Sequence, residues 1–494
     1  MLTDTKLLED GLAVVTLSGS LVEASATHNL SQTLRHLYDQ GRRGILLDLS
    51  KVKRLNMAGL AALVELAARN PKCDLGFCAM PQKSLNFLRK SGLDRGLKIF
   101  TSVEEARHHL SFRPHALTNT RVVLLCAGKG SRVAPLTEIA PKPMLNLAGR
   151  PCMHRIIDHL AQFGLRDVLL NPGHLGHQIV DYFQGTKIPD THITFVNEGG
   201  WKDGSWTAEP IGSASTLKRM QECNAAFDSD IVVLCGDALI DIDIAEMMRE
   251  HRASGADATI ATQSVPETDV HKYGIIETSP TKTITRFVEK PKPGVTDSRL
   301  ANTGIYIFKP KVLALISNAS GLDIACDLLP AIMRSGGKMH AYTQPFSWID
   351  IGCGRDYAKA VEKCLRGEAH FAAPIGQEIR PGVWAMPGAV VSPRAKITGV
   401  CHIGANARIE AGAQLDNFCS IGAGAVVEGK TVLRDCIVMP ETKIHSGAWA
   451  HNMILHSGWA VDHTLADGSL QNRDPLDCVT QLVAEMPLQL QKQA

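Results

Sequence analysis

Leu125-Cys-Ala-Gly-Lys-Gly-Ser-Arg-Val-Ala-Pro-Leu-Thr-Glu-Ile-Ala-Pro-Lys-Pro-Met144 is the stretch that decides how this chain folds. It grows out of Val122-Val-Leu-Leu-Cys126, a continuous apolar run of the kind buried on both faces of a parallel sheet. In Gly128-Lys-Gly130 no Cβ intrudes, so backbone N–H groups can approach phosphate oxygens closely. Arg132 offers a planar fork to a polyphosphate, and Lys142 a point charge on a loop stiffened by Pro141 and Pro143. Taken alone, a surface loop with two solvated cations explains the segment equally well.

Its surroundings tilt that balance. Met153, Ile156, Ile157 and Leu160 mark an amphipathic helix, and Ile231-Val-Val-Leu-Cys235 is a second buried strand, ending at Gly236-Asp237. This alternation continues to about residue 366 and predicts a doubly wound α/β domain of roughly 250 residues. Asp237 falls at the C-terminal end of its strand, where open α/β sheets place ligands. A helix cap is the competing reading for that carboxylate. Asp350, in Trp348-Ile-Asp-Ile-Gly352, is a second carboxylate, and two hard oxygen ligands suit Mg²⁺. Glu289-Lys-Pro291 adds a cation in a constrained turn, and Asn302-Thr-Gly304 an amide suited to a hydroxyl-rich ligand. His174 and His177 read as helix-start residues, since no third metal ligand accompanies them.

On the N-terminal side, residues 1–112 alternate strand-length runs (Leu12–Leu17, Ile45–Leu49, Leu75–Cys78) with helical faces such as Leu30, Leu34 and Leu37. Residues 113–120, polar and aperiodic, read as a linker. On the C-terminal side, Ile379, Ala385, Val391, Ile397, Ile403, Ile409, Leu415, Ile421, Val427 and Leu433 recur every six residues. That phase fits a β-solenoid over 375–460, with a slip after Leu433 that Val438 and Ile444 take up. The tail, 461–494, carries no pattern.

Composition narrows the classes. A net charge of +2 gives no support to a nucleic-acid binder relying on basicity. No apolar run reaches the ~18 residues of a membrane helix. Asp4, Glu9 and Asp10 stand where a secretory signal needs a basic, then apolar, start. Thirteen cysteines without a CxxC pair suggest reduced thiols, hence a cytoplasmic chain.

Taken together, Gly128-Lys-Gly130, Arg132, Pro135-Leu-Thr137, Pro141-Lys-Pro143, Gly236-Asp237, Tyr273-Gly274, Glu289-Lys-Pro291, Asn302 to Gly304 and Trp348 to Gly352 form an ordered set. Over residues 121–366 it resembles the nucleoside-diphosphate-sugar pyrophosphorylases, the sugar-1-phosphate nucleotidyltransferases, and among them the mannose-1-phosphate guanylyltransferase-like members. The resemblance implies a Rossmann-like domain that condenses a nucleoside triphosphate with a sugar 1-phosphate to give an NDP-sugar and pyrophosphate. It implies catalytic roles for Arg132, Lys142 and Asp237, with Arg132 on the leaving phosphates and Lys142 against the transferring ones. Cys126, Ala127, Gly128, Gly130, Ser131, Gly212 and Ser213 are implied on the nucleotide. Gly274, Glu289, Lys290, Asn302 and Thr303 are implied on the sugar phosphate, and Asp237 and Asp350 on Mg²⁺.

Departures from the family pattern are Ser131 for Thr, Cys235 for Asn and, in Gly212-Ser-Ala-Ser215, a serine for the last glycine. Ser215 is expected to project a side chain where backbone lies close to ligand. Thymidylyl-, uridylyl- or cytidylyltransferase activity on glucose 1-phosphate remains an alternative, as does a regulator that binds nucleotide sugar without turnover.

The N-terminal region resembles the STAS domain through Asp48-Leu-Ser-Lys-Val52, Leu55-Asn-Met-Ala-Gly-Leu60, Ser91-Gly-Leu93 and Ser102 through Leu110. Partner-switching members carry Asp-Ser where Asn56 and Met57 stand here, and a thioether cannot take up phosphate. A module docking a protein or ligand is implied, alongside a plain structural one. The solenoid resembles the left-handed parallel β-helix of hexapeptide-repeat proteins, which implies homo-oligomer formation; acyl transfer through His402 or His445 is the less favoured reading.

Overall fold

A computed structural model describes residues 2–8, 12–22, 28–39, 44–69, 74–91, 97–108, 117, 119–223, 227–369 and 372–464. The expectations for Gly92 and Leu93, for most of the linker and for nearly all of the tail lie outside these residues.

The first domain is a five-stranded sheet in sequence order. Leu2–Leu7 runs antiparallel to Ala13–Leu21, which pairs in parallel with Gly44–Leu55, and that with Asp74–Cys78. Side chains alternate across the sheet: Ala13, Val15 and Leu17 pack with the helix residues Leu30, Leu34, Leu60 and Leu63, while Leu12 and Val14 face Phe100 and Ala106. The helix Met57–Arg69 starts at Asn56, whose Oδ1 accepts the Gly59 N–H at 2.9 Å, and Met57 is left exposed beside it.

The middle sheet follows the order His192–Phe195, Asp167–Leu170, Arg121–Leu125, Ile231–Cys235, Leu300–Phe308, Ala258–Ser264, Met339–Tyr342. The first four strands are parallel. Val122, Leu124, Val232 and Leu234 enter one core, and Val123 and Val233 another on the opposite face, so the sheet is covered on both sides as its unbroken apolar runs predict. Leu117, within the predicted linker, is buried in the first of these cores and donates its N–H to Phe163 O.

The C-terminal region is a parallel β-helix. Val391 pairs with Ile409 and Ile409 with Val427, an 18-residue coil of three hexads. The slip after Leu433 is a coil one residue short: Leu415 pairs with Leu433, but Cys419 with Cys436 and Ile421 with Val438. Ile403 through Leu433 point into the core as predicted. Ile379 does not; it lies on Gln377–Arg380, which pairs antiparallel to Val383–Ala385, and is exposed.

The β-helix shares a core with the middle domain. Tyr357 and Val361, on the helix Gly354–Leu365, cluster with Phe418, Ile437, Ile454, Trp459 and Val461. Arg155, buried, donates to Leu147 O and Ala148 O and reaches Ala373 O at 3.0 Å. His402 is buried at this junction with Nε2 on Ile375 O, and His445 is a surface neighbour of Glu428.

Candidate active site

The parallel register sets Leu125 beside Cys235, and the Gly236 N–H donates to Leu125 O at 2.9 Å. The loop after one strand and Asp237 after the other therefore emerge together at the carboxyl edge of the sheet. Asp350 joins them through a short antiparallel ribbon in which Ala238 pairs with Asp350. The helix that follows Asp237 is capped by Asp243, whose carboxylate accepts the Glu246 N–H. Asp237 is thus not needed as a cap.

Lys142 completes this centre from the turn Lys142–Met144, with Nζ 2.6 Å from Asp237 Oδ2 and 3.2 Å from Asp350 Oδ1. Burial alone would pull its ammonium down, but Asp237 and Asp350 outweigh that and hold its pKa above the usual lysine range. Burial pushes the Asp237 carboxyl up; Lys142 opposes the shift and the like charge of Asp350 adds to it. Gly130 adopts φ +63°, and a Cβ there would lie 3.1 Å from the Lys142 Cβ. Gly130 thus makes room for the lysine stem, while at Gly128 the space is open.

A cavity of about 490 Å³ opens over Lys142 and Asp237; Asp350 is joined to it through its ion pair with Lys142 and is not in the lining. Cys126, Ala127, Gly128, Gly130, Ser131, Arg132, Lys142, Gly212, Ser213, Asp237 and Gly352 line it. Gly212 has φ +91°, and a Cβ there would meet Leu322 O at 2.5 Å. Ser213 Oγ donates to Asp323 Oδ2 at 2.8 Å and accepts the Ile324 N–H. Ser215 corrects the expectation made for it. Two residues along the helix Ser213–Cys223 it points elsewhere, donating to Ala319 O and accepting the Leu322 N–H, and so braces the 319–322 loop.

Gly274, Glu289, Lys290, Asn302 and Thr303 are not part of this lining. Gly274 and Glu289 are ladder partners, and Lys290, at φ +43°, is ion-paired with Glu289 at 3.5 Å. Both Glu289 and Lys290 act electrostatically on Cys326, next to the lining residue Ala325. Asn302 reaches the cavity only through Tyr306, whose hydroxyl accepts its amide at 2.8 Å. The Thr303 hydroxyl donates to Ala261 O.

Sequence reading missed a second polar network in the wall. Glu198, 2% exposed, accepts from Asn171 Nδ2 at 2.9 Å, from the Thr216 hydroxyl and from the Ile211 N–H at 3.0 Å. Asn171 Oδ1 in turn accepts the Cys126 N–H at 2.7 Å. Asn171 and Glu198 each lie just beyond a parallel strand, the same signal that singled out Asp237. His174 Nε2 contacts Thr137 O, and His177 packs between Trp201 and Trp206.

Two carboxylates that converge on a single cationic atom form a donor set fit for Mg²⁺. No cluster of three or more metal-ligating side chains occurs among the described residues, so phosphates and water would supply the remaining ligands.

Residues 121–367, half of the chain, match the nucleotidyl transferase family. The chain belongs to that family. Residues 8–101 match the Mlab, STAS domain family. UTP–glucose-1-phosphate uridylyltransferase of Synechocystis is 34% identical over 345 residues, 70% of this chain and 89% of that protein. Mannose-1-phosphate guanylyltransferase of Mycobacterium tuberculosis is 28% identical over 318 residues, 64% of this chain and 82% of that protein. HddC from Yersinia pseudotuberculosis, solved as a complex with GMP-PN, aligns with 49% of this nucleotidyltransferase and 99% of that chain at 24% identity and a TM-score of 0.41. No helix among the described residues is long and apolar enough to cross a membrane.

Proposed function

We propose that the chain joins a nucleoside triphosphate to a sugar 1-phosphate, releasing pyrophosphate. The observation that carries this reading is the meeting of Lys142, Asp237 and Asp350, far apart in sequence, under a cavity bordered by Arg132. A phosphate oxygen of the sugar 1-phosphate forms a bond to the α-phosphorus, and the bond from that phosphorus to the bridging oxygen of pyrophosphate breaks. The protein's task is to hold two anions in line and stabilise the charge that spreads over them. Arg132 clamps the leaving phosphates, and the ammonium of Lys142 faces the transferring ones. Asp237 and Asp350 would hold Mg²⁺, which would supply charge neutralisation at the α-phosphorus. Glu289 and Lys290, at the end of the strand that pairs with Gly274, and Asn302, on Leu300–Phe308, serve the sugar phosphate.

The β-helix serves assembly of a homo-oligomer in a cytoplasmic enzyme, and the STAS-like domain, with Met57 exposed at its helix start, docks a protein partner. Pyrophosphate release over a grid of triphosphates and sugar 1-phosphates tests the reading. Turnover with one base and one sugar, UTP or GTP with glucose or mannose 1-phosphate, is the expected result. Binding without release across the whole grid would replace it with the regulator.

A further inference from the structure

Lys142 has two calls on one charge. Its ammonium touches Asp237 Oδ2 at 2.6 Å and Asp350 Oδ1 at 3.2 Å, the two oxygens assigned above to a divalent cation, yet it also lines the cavity where a triphosphate would lie. It cannot serve both at once. An ammonium and a metal ion packed against the same two oxygens would repel one another at contact distance, in a centre where burial weakens screening. The stem, by contrast, has little freedom. Lys142 sits in a tight turn flanked by Pro141 and Pro143, is 8% exposed, and packs its Cβ and Cδ against Gly130. Only the end of the side chain can move.

We propose that Lys142 is an internal stand-in for the divalent cation: its ammonium occupies the Asp237–Asp350 site in the unliganded chain and leaves it for the triphosphate when the cation binds. This deepens the functional reading above and rests on its cation site. Two consequences follow. The pair of carboxylates is never left without a counter-ion, whose absence would be strongly destabilising for buried like charges. Cation affinity in the absence of nucleotide is held down, because each binding event must first displace the lysine. Cation and triphosphate thereby become coupled, since the group displaced by one is a ligand for the other, and such coupling is reciprocal.

The test uses the full chain and Mn²⁺ alone, with free Mn²⁺ read by its paramagnetic resonance signal and folding checked by circular dichroism. Lys142→Met should bind Mn²⁺ at least ~10-fold more tightly than wild type, although it is inactive, and adding Asp350→Asn should abolish the gain. Lys142→Gln, which keeps a hydrogen-bond donor beside the carboxylates, should show the same direction and guards against misfolding of the first variant. In wild type, acetylation of Lys142 followed by peptide mass spectrometry should rise several-fold at saturating Mn²⁺. Equal or weaker Mn²⁺ binding by both folded variants, or a Lys142 that stays protected while Mn²⁺ is bound, would overturn the proposal. Pyrophosphate release by wild type alongside such a result would sink this inference and leave the functional reading standing; tighter Mn²⁺ binding without release on any substrate pair would do the reverse.

Discussion

Replacing Glu198 by Gln removes a charge and one acceptor from the network behind the phosphate loop. The carboxylate accepts from three donors, Asn171 Nδ2, the Thr216 hydroxyl and the Ile211 N–H. A glutamine carbonyl can keep two of them, but its amide then faces a third donor. One buried donor is orphaned at a cost of about 1–3 kcal/mol, and the two surviving bonds lose their charge assistance. Burying a neutral amide in place of a carboxylate returns part of that, so a net loss of about 2 kcal/mol is expected. Because Asn171 also holds the Cys126 N–H at 2.7 Å, the damage reaches the loop that lines the cavity. If the whole loss falls on nucleotide binding, KM for the triphosphate rises by up to ~30-fold. Steady-state kinetics should show a rise up to that limit with kcat changed only a few-fold, and the part of the loss that does not reach the loop should lower the thermal midpoint. A KM within twofold of wild type and an unshifted midpoint would refute the chain of contacts from Glu198 to Cys126.

Three further outcomes are expected. Asp237→Ala should lower turnover by at least ~10²-fold with the circular dichroism spectrum unchanged, and wild-type-like activity would remove this residue from the site. Gly212→Ala should lower kcat/KM at least ~10-fold, because φ is +91° and the new Cβ would press on Leu322 O at 2.5 Å; Gly255→Ala, at φ +68° with open space around it, should cost only strain of ~1 kcal/mol in midpoint measurements and leave kinetics intact. The third concerns His402, whose burial pushes its pKa down to about 4, with its bond to Ile375 O opposing. The unfolded chain therefore binds a proton that the folded one refuses, so stability is complete above ~pH 6.5 and is lost as pH falls toward 4, by about 3 kcal/mol in total. Thermal midpoints of wild type and His402→Gln should converge over that window, and parallel profiles would contradict the assignment.

What could be read from the sequence was whatever is encoded locally. Unbroken apolar runs at Val122 and Ile231 announced a sheet covered on both faces, and the six-residue phase announced the solenoid. Asp237 and Lys142 were legible because strand ends and proline-flanked loops leave a mark on the sequence around them. Glu198 and Asn171 carry the same strand-end mark but were passed over, because they act, like Asp323, through contacts with distant residues: Asn171 and Glu198 are 27 positions apart, and Ser213 and Asp323 are 110. Ser215 was misjudged because neighbours on a helix point in different directions, and position in a motif does not say which way. Ile379 kept the hexad phase while its strand turned antiparallel, so periodicity alone overextended the solenoid by one hexad.

If Asp237 and Asp350 hold the cation of a metal–triphosphate pair gripped by Arg132 and Lys142, a bound metal should be visible between them. Anomalous scattering from crystals grown with Mn²⁺ and a non-hydrolysable nucleoside triphosphate would locate it. One strong peak against both carboxylates is expected, with the triphosphate in the cavity beneath Arg132. A peak bound elsewhere, or a nucleotide outside that cavity, would contradict this placement.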